Sequence, residues 1–236
     1  MNNERYRHEL KYIVSEAELC ALRARIKGIL RPDPHADATG RYQVRSIYFD
    51  DLENSAYYEN ENGVAVRSKW RIRCYNGSDE VISLENKRKD AAMTQKLSCA
   101  LTRQQFDGIM DAAGTSKTAA LLRDAHQNDP VLNRFLTELA TKPLKQKVIV
   151  QYEREPYFFP SGNVRVTFDR LITSSKAYDA FFSGELKGRP VMPAGRQMME
   201  VKYDDYLPDH IYHAIQLRSM RIETFSKYYL SRRYAG

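Results

Sequence analysis

Tyr6-Arg7-His8-Glu9-Leu10-Lys11-Tyr12-Ile13-Val14 alternates charged side chains with apolar or aromatic ones. Successive side chains of a strand point to opposite faces, so Arg7, Glu9 and Lys11 share one face. His8, Leu10 and Tyr12 share the other. The pattern recurs along the chain. Lys69, Arg71 and Arg73 alternate with Trp70 and Ile72; Glu85, Lys87 and Lys89 share a face; Glu200 and Lys202 flank Val201. Any one such strand fits a half-buried antiparallel sheet with its charged face in water. Taken together, the strands also fit a closed barrel whose apolar outer face lies under helices and whose charged face lines the lumen. A dry lumen cannot hold so many charges. It would be wet and would hold a multivalent anion. Cations outnumber carboxylates on these faces, which suits a polyphosphate or a nucleoside triphosphate better than a metal cluster alone. The few carboxylates suit Mg²⁺ or Mn²⁺ bridging phosphate oxygens.

Around these strands the remaining signals are helical. Ser15 and Glu18 form a capping-box pattern before Leu19, Leu22, Ile26 and Ile29, with Pro32 and Pro34 ending that helix near Leu30. Strands are predicted at 42–49, 69–75, 81–89, 93–101, 145–155, 164–172 and 198–203, with a turn at 76–79. Helices are predicted at 102–113, at 117–141 in two pieces broken near Asp129-Pro130, at 208–218 and at 224–232. The Gly- and Pro-containing stretch 178–195 reads as a loop. This order predicts an α+β fold, and no composition shift marks a linker, so one domain over 1–236 is expected.

Composition narrows the classes. The 236 residues carry 37 Lys+Arg against 30 Asp+Glu, a net charge of +7. The sequence pI is about 9.2 and the mean hydropathy is −0.61. A basic balance favours an anionic partner. No apolar run is long enough to span a bilayer, and the polar start gives no secretory signal. Cys20, Cys74 and Cys99 lack zinc spacing and read as reduced thiols, which predicts a cytoplasmic protein. The aromatic residues form no stacking motif for nucleic acid, and a closed tunnel excludes a duplex.

An ordered set of motifs resembles a known family. Tyr6-Arg-His-Glu-Leu-Lys-Tyr12 is followed by Arg45-Ser-Ile-Tyr-Phe-Asp50, Arg71-Ile-Arg73, Leu84-Glu-Asn-Lys87 and Lys147-Val-Ile-Val-Gln-Tyr-Glu-Arg-Glu155. Gly162-Asn-Val-Arg-Val-Thr-Phe-Asp169, Met199-Glu-Val-Lys-Tyr-Asp204, Leu207-Pro208 and Phe225-Ser-Lys-Tyr-Tyr229 complete it. The set resembles the VTC domain, the polyphosphate polymerase domain of the vacuolar transporter chaperone complex, within the triphosphate tunnel (CYTH-like) superfamily. The resemblance implies a closed antiparallel barrel of about eight strands with a basic lumen and surrounding helices. It implies metal-dependent transfer of the γ-phosphate of ATP to a growing polyphosphate chain, with Mn²⁺ or Mg²⁺. The alternatives are a tunnel triphosphatase acting on inorganic or nucleoside triphosphate, and a non-catalytic polyphosphate-binding module.

By motif, the resemblance implies that Lys11, Arg71, Arg73, Lys87, Arg154, Arg165 and Lys227 bind and activate phosphate, with Lys96 at the tunnel mouth. Glu200 would hold the metal, and Glu9 is either a second ligand or the partner of a neighbouring cation. Hydrolytic members of the superfamily begin Glu-x-Glu-x-Lys; here Arg7 replaces the first carboxylate, which favours polymerisation over two-metal hydrolysis. The eukaryotic relatives add a regulatory module and membrane helices, so a separate membrane or regulatory partner is expected for export. Lys69 and Lys89 read as solvated strand ends, and Lys202 as the partner of Glu200. Asp50, Asp51 and Asp169 read as turn or strand-end residues. Tyr228 and Tyr229 read as helix packing.

Overall fold

The computed structural model describes residues 6–91, 93–115, 117, 129–217 and 219–234. Ten strands form one antiparallel sheet: β1 (Arg7–Ser15), β2 (Arg31–Pro32), β3 (Tyr42–Asp50), β4 (Val66–Tyr75), β5 (Ser78–Asp90), β6 (Met93–Leu101), β7 (Lys145–Phe159), β8 (Val164–Ser175), β9 (Arg189–Pro190) and β10 (Arg196–Tyr203). The ladder runs β7-β3-β4-β5-β6-β1-β10-β8 and returns to β7, so eight strands close into a ring. The short strands β2 and β9 pair outside it, on β7 and β8.

Closure is uneven. β1 pairs with β10 over eight residues but meets β6 only at Arg7 and His8. Beyond His8 the edge of β1 turned toward β6 is free. The segment 222–226 uses it: Glu223 N–H donates to the Lys11 carbonyl at 2.8 Å, and Tyr12 pairs with Ile222. Thr224–Ser226 is accordingly a non-helical strap, with the Phe225 N–H donating to the Glu223 carbonyl at 3.0 Å and the Lys11 ammonium to the Phe225 carbonyl at 3.0 Å, and the closing helix starts only at Lys227.

The helices among the described residues are α1 (Glu16–Ile26), α2 (Ser55–Glu61), α3 (Arg103–Ala112), α4 (Pro130–Thr141), α5 (Asp209–Ala214) and α6 (Lys227–Tyr234). The Ser15/Glu18 capping box forms in full, a local contribution of about 1 kcal/mol. Asp129 caps α4 through Val131 N–H at 2.7 Å. The first piece of the 117–141 expectation falls on 118–128, outside the described residues. The β4–β5 hairpin turns on Asn76 and Gly77 alone, both at positive φ (52° and 68°), the signature of a two-residue connection. The 178–195 stretch is mostly loop, with a 3-10 turn at Tyr178–Ala180 besides β9. None of the described helices is long and apolar enough to cross a membrane.

Two apolar layers cover the ring. Trp70, Ile72, Leu84 and Leu101 pack under Phe106 of α3 and Phe135 of α4. Tyr12, Val14, Val166 and Phe168 pack under Leu19 and Leu22 of α1 and Ile211 of α5. Each buried side chain of this size contributes about 1.5–3 kcal/mol relative to exposure. A third cluster lies on the inner face, where Val44, Val148 and Val150 meet Tyr228 of α6. On β1, β4, β5 and β10 the alternation therefore resolves as apolar-out, under helices, and charged-in, while β3 and β7 put Val44, Val148 and Val150 on the inner face.

Candidate active site

The inner face is built by register. Arg71 stands opposite Glu85, Lys69 opposite Lys87, and Lys11 opposite Glu200. The structure brings Lys11, Arg71, Arg73, Lys87, Arg154, Lys227 and Glu200 around one chamber. Lys69 and Lys202 line it too, with Tyr48, Tyr152, Ser226 and Tyr228 between the charges. Among these lining residues Glu200 is the only carboxylate.

Three further carboxylates stand among the cations and hold them. Glu85, 1% exposed, accepts from Arg71 Nε at 2.7 Å and lies 3.9 Å from Arg73 Nη1. The Lys96 ammonium reaches the same carboxylate at 3.5 Å while remaining half exposed. Asp169, fully buried, accepts a fork from Arg154 at 2.7 and 2.8 Å and pairs with Lys227 at 2.6 Å. Glu9 takes Lys87 at 2.7 Å and Lys11 at 3.2 Å. Arg71 and Arg73 also donate to the tyrosine hydroxyls, Arg71 to Tyr48 at 3.1 Å and Arg73 to Tyr152 at 3.4 Å.

Burial and neighbouring charge set the protonation states. Burial alone would raise the Glu85, Asp169 and Glu200 carboxyls; the adjoining cations outweigh it and hold all three below the usual range. Glu9 is lowered to about 2 against its own burial and the nearby Glu200, chiefly by Lys11 and Lys87. Lys11 is raised: burial works against it, but Glu9 and Glu200 prevail. Lys87 is lowered to about 7 by burial, with Glu9 opposing and Lys11 reinforcing. Lys69 falls well below the ordinary lysine value through burial and through Lys87, Lys11 and Arg71 around it.

Several readings change. Lys69 is no solvated strand end, because β4 begins at Val66 and carries it inward to donate to Ser226 Oγ at 3.1 Å. Lys89 lines an outer vestibule for the same reason, β5 running on to Asp90. Asp169 is mid-strand in β8, on the inner face behind Arg154 and Lys227 rather than in the chamber lining. Asp50 and Asp51 do end a strand, and accept backbone N–H groups of α2. Arg165 is exposed on β8, opposite Lys202 in the ladder but outside the chamber lining. Lys202 lies directly against Glu200. Tyr228 stacks on Tyr48 and donates to Asp50 at 2.5 Å. Arg7, on the inner face at the start of β1, pairs with Asp204 at 3.1 Å.

The vestibule is an open cavity of about 580 Å³. Lys11, Lys69, Lys87 and Ser226 border both spaces and form the neck between them. The arrangement suits a chain of phosphates: arginine forks, mobile ammonium groups and hydroxyls converge on a small polar space.

For a divalent ion the donors are few. Among the described residues no group of three or more His, Cys, Asp or Glu side chains converges. Glu200 fits the role of a lone protein ligand. Its Oε1 is buried and takes no directed hydrogen bond despite the adjacent Lys202 ammonium. A hard cation is commonly held by one or two carboxylates plus substrate phosphates. Glu9 is held by two ammonium groups, Lys87 and Lys11, whereas at Glu200 a metal ion would have to displace only the Lys202 ammonium from Oε1.

The fold is shared with a solved structure at low sequence identity. An adenylyl cyclase candidate from Hippeastrum, described as having a dominant triphosphatase activity, aligns with a TM-score of 0.58 and 12% identity over 96% of this chain and 95% of its own. An adenylate cyclase candidate from Bacillus halodurans aligns at 0.48 and 15% identity, over 91% and 88%. No curated protein matches the sequence. The family model for the VTC domain matches residues 6–235, and with that span and this tunnel the chain belongs to the VTC domain family.

Proposed function

We propose that the chain is a metal-dependent polyphosphate polymerase acting as one domain over 1–236. It would pass the γ-phosphate of ATP to the terminal phosphate of an inorganic polyphosphate chain. The observation that carries this reading is the chamber lining, in which eight cationic side chains face the space with Glu200 as the only carboxylate. Phosphoryl transfer asks the protein for positioning and charge neutralisation rather than covalent chemistry. Arg71, Arg73 and Arg154 would orient phosphate oxygens. Lys11, Lys87 and Lys227 would neutralise charge, with Lys96 and Arg165 nearer the rims. Glu200 would hold Mn²⁺ or Mg²⁺, which when bound supplies further charge neutralisation at the phosphate oxygens.

Hydrolysis of a triphosphate is the second reading, since the Hippeastrum neighbour is described with that activity. Arg7 weighs against it, because it puts a cation paired to Asp204 where a first carboxylate would serve a second metal. A cytoplasmic site of action and a separate partner for export belong to the same proposal.

The test incubates wild type and Glu200→Gln with ATP and Mn²⁺, with and without a short polyphosphate primer. Polymer is read by gel and orthophosphate in the same tube. Polymer from wild type and its loss in the variant support the polymerase. Orthophosphate without polymer supports the hydrolase. Tight polyphosphate binding with neither product leaves a binding module.

A further inference from the structure

The β4–β5 ladder places like charges face to face twice in succession. Lys69 is opposite Lys87, and two residues further out Arg67 is opposite Lys89. Like charges directly opposite on one sheet face are destabilising. The inner pair belongs to the neck of the chamber. The outer pair does not line the chamber at all; Arg67 and Lys89 line only the vestibule.

Among the described residues neither outer cation has a carboxylate partner. Arg67 donates to the Val64 carbonyl at 2.9 Å, and Lys89 is lowered by burial and by Arg67 and Lys11, with Glu9 opposing. The vestibule carboxylates are Glu9 of β1, held by Lys87 and Lys11, and Glu61 and Glu223 from α2 and the strap; none belongs to this ladder. Residues two apart on a strand are about 6.6 Å apart along it. The two pairs therefore form a cationic stripe leading out of the neck along one wall; Glu9 compensates the inner pair through Lys87 at 2.7 Å, while the outer pair has no carboxylate in contact among the described residues.

We propose that Arg67 and Lys89 are a binding track for inorganic polyphosphate outside the chamber, carrying the part of the chain that extends beyond the neck. A compact triphosphate held in the chamber would not reach it. A chain longer than the chamber would, and its anionic charge would relieve the repulsion in the ladder. This rests on the polyphosphate reading of the chamber, and assigns the vestibule as the side on which the chain extends.

The test measures binding, not turnover. Wild type and Arg67→Gln/Lys89→Gln are titrated with inorganic triphosphate, with long-chain polyphosphate and with a single-stranded oligonucleotide of equal charge. The variant is expected to bind triphosphate as wild type does, which also reports an intact chamber. Long-chain affinity is expected to fall about tenfold. The slope of its logarithm against log salt is expected to shrink by roughly one to two, for two lost phosphate contacts. Lys89→Arg should retain the long-chain affinity. Equal losses for triphosphate and long chain, or no loss for either, would overturn the track. Oligonucleotide binding as tight as polyphosphate would overturn its assignment to that ligand. Failure of wild type to bind any polyphosphate would instead remove the chamber reading beneath it.

Discussion

Glu85 stands directly opposite Arg71 in the β4–β5 ladder, and its Oε2 receives both Arg71 Nε at 2.7 Å and Nη2 at 2.5 Å. The carboxylate is buried and acts as a counter-ion within the protein, since Arg71, Arg73 and Lys96 already surround it. Breaking a buried pair by neutralising one member leaves the other charge uncompensated, at a cost of about 3–5 kcal/mol. Glu85→Gln is therefore expected to lower the melting temperature markedly. Added triphosphate should return part of the loss, because it supplies the missing negative charge. Thermal melts with and without triphosphate check this; a ligand-induced gain no larger than that of wild type would contradict it.

Arg154 and Asp169 test geometry against charge. The guanidinium forms a two-bond fork on Asp169 while its ring-facing side lies over Tyr152, with the guanidinium carbon 5.2 Å from the ring centroid. Lysine keeps the charge but not the fork. Arg154→Lys is expected to weaken triphosphate binding about tenfold, the loss of roughly one charge-assisted hydrogen bond. Calorimetric titration measures it. Unchanged affinity would mean that positive charge alone serves at this position.

The architecture was legible because strands report their faces with a period of two. Arg71, Arg73 and Lys87 could be placed on one face from the sequence, and the apolar residues between them on the other. The same parity reaches Lys69 and Asp169, but composition alone does not show where their strands end; β4 starts three residues before Lys69, and β8 runs six beyond Asp169. Tyr152 is two residues before Arg154, so the same parity places it on the inner face, although nothing in its apolar ring distinguishes it from a core tyrosine. The narrow seam between β1 and β6 was not legible. Nothing in Thr224-Phe225-Ser226 shows that a free strand edge at Lys11 will claim it as a strap. Helix α2, Ser-Ala-Tyr-Tyr-Glu-Asn-Glu, has no buried residue and hence no apolar period to find.

Lys87 predicts a pH dependence. Its folded-state value of about 7 lies below the ordinary 10.5. A lysine lowered on folding carries its full cost where it is charged in both states, below pH 7. Between pH 7 and about 10.5 the unfolded chain binds the extra proton, so this contribution to stability improves as pH rises. A bound polyanion reverses the preference and draws the proton back. Above pH 7, triphosphate binding is expected to take up protons and to weaken with rising pH. Calorimetry at pH 8 in buffers of different ionisation enthalpy measures the uptake. The same uptake in Lys87→Met would assign it to another group.

Arg45 lies outside the chamber and makes the opposite kind of prediction. It is fully buried on the outer face of β3, and its guanidinium donates to the Phe181, Ser183 and Gly184 carbonyls and to Gln151. No carboxylate pairs with it among the described residues, and burial lowers its pKa. Gly77 completes the clamp: a Cβ there would stand 2.9 Å from the Ser183 carbonyl oxygen and 3.1 Å from Arg45 Nη1. Arg45→Met would fill much of the space and leave those carbonyls without their donor, each at about 1–3 kcal/mol. The 178–186 loop is then expected to become the first site of proteolytic cleavage, with a lowered melting temperature. Triphosphate affinity should survive, because Arg45 and this loop do not line the chamber. Limited proteolysis with mass mapping, run beside a binding titration, checks both halves. Loss of binding with the loop still protected would show that Arg45 acts on the site rather than on the loop.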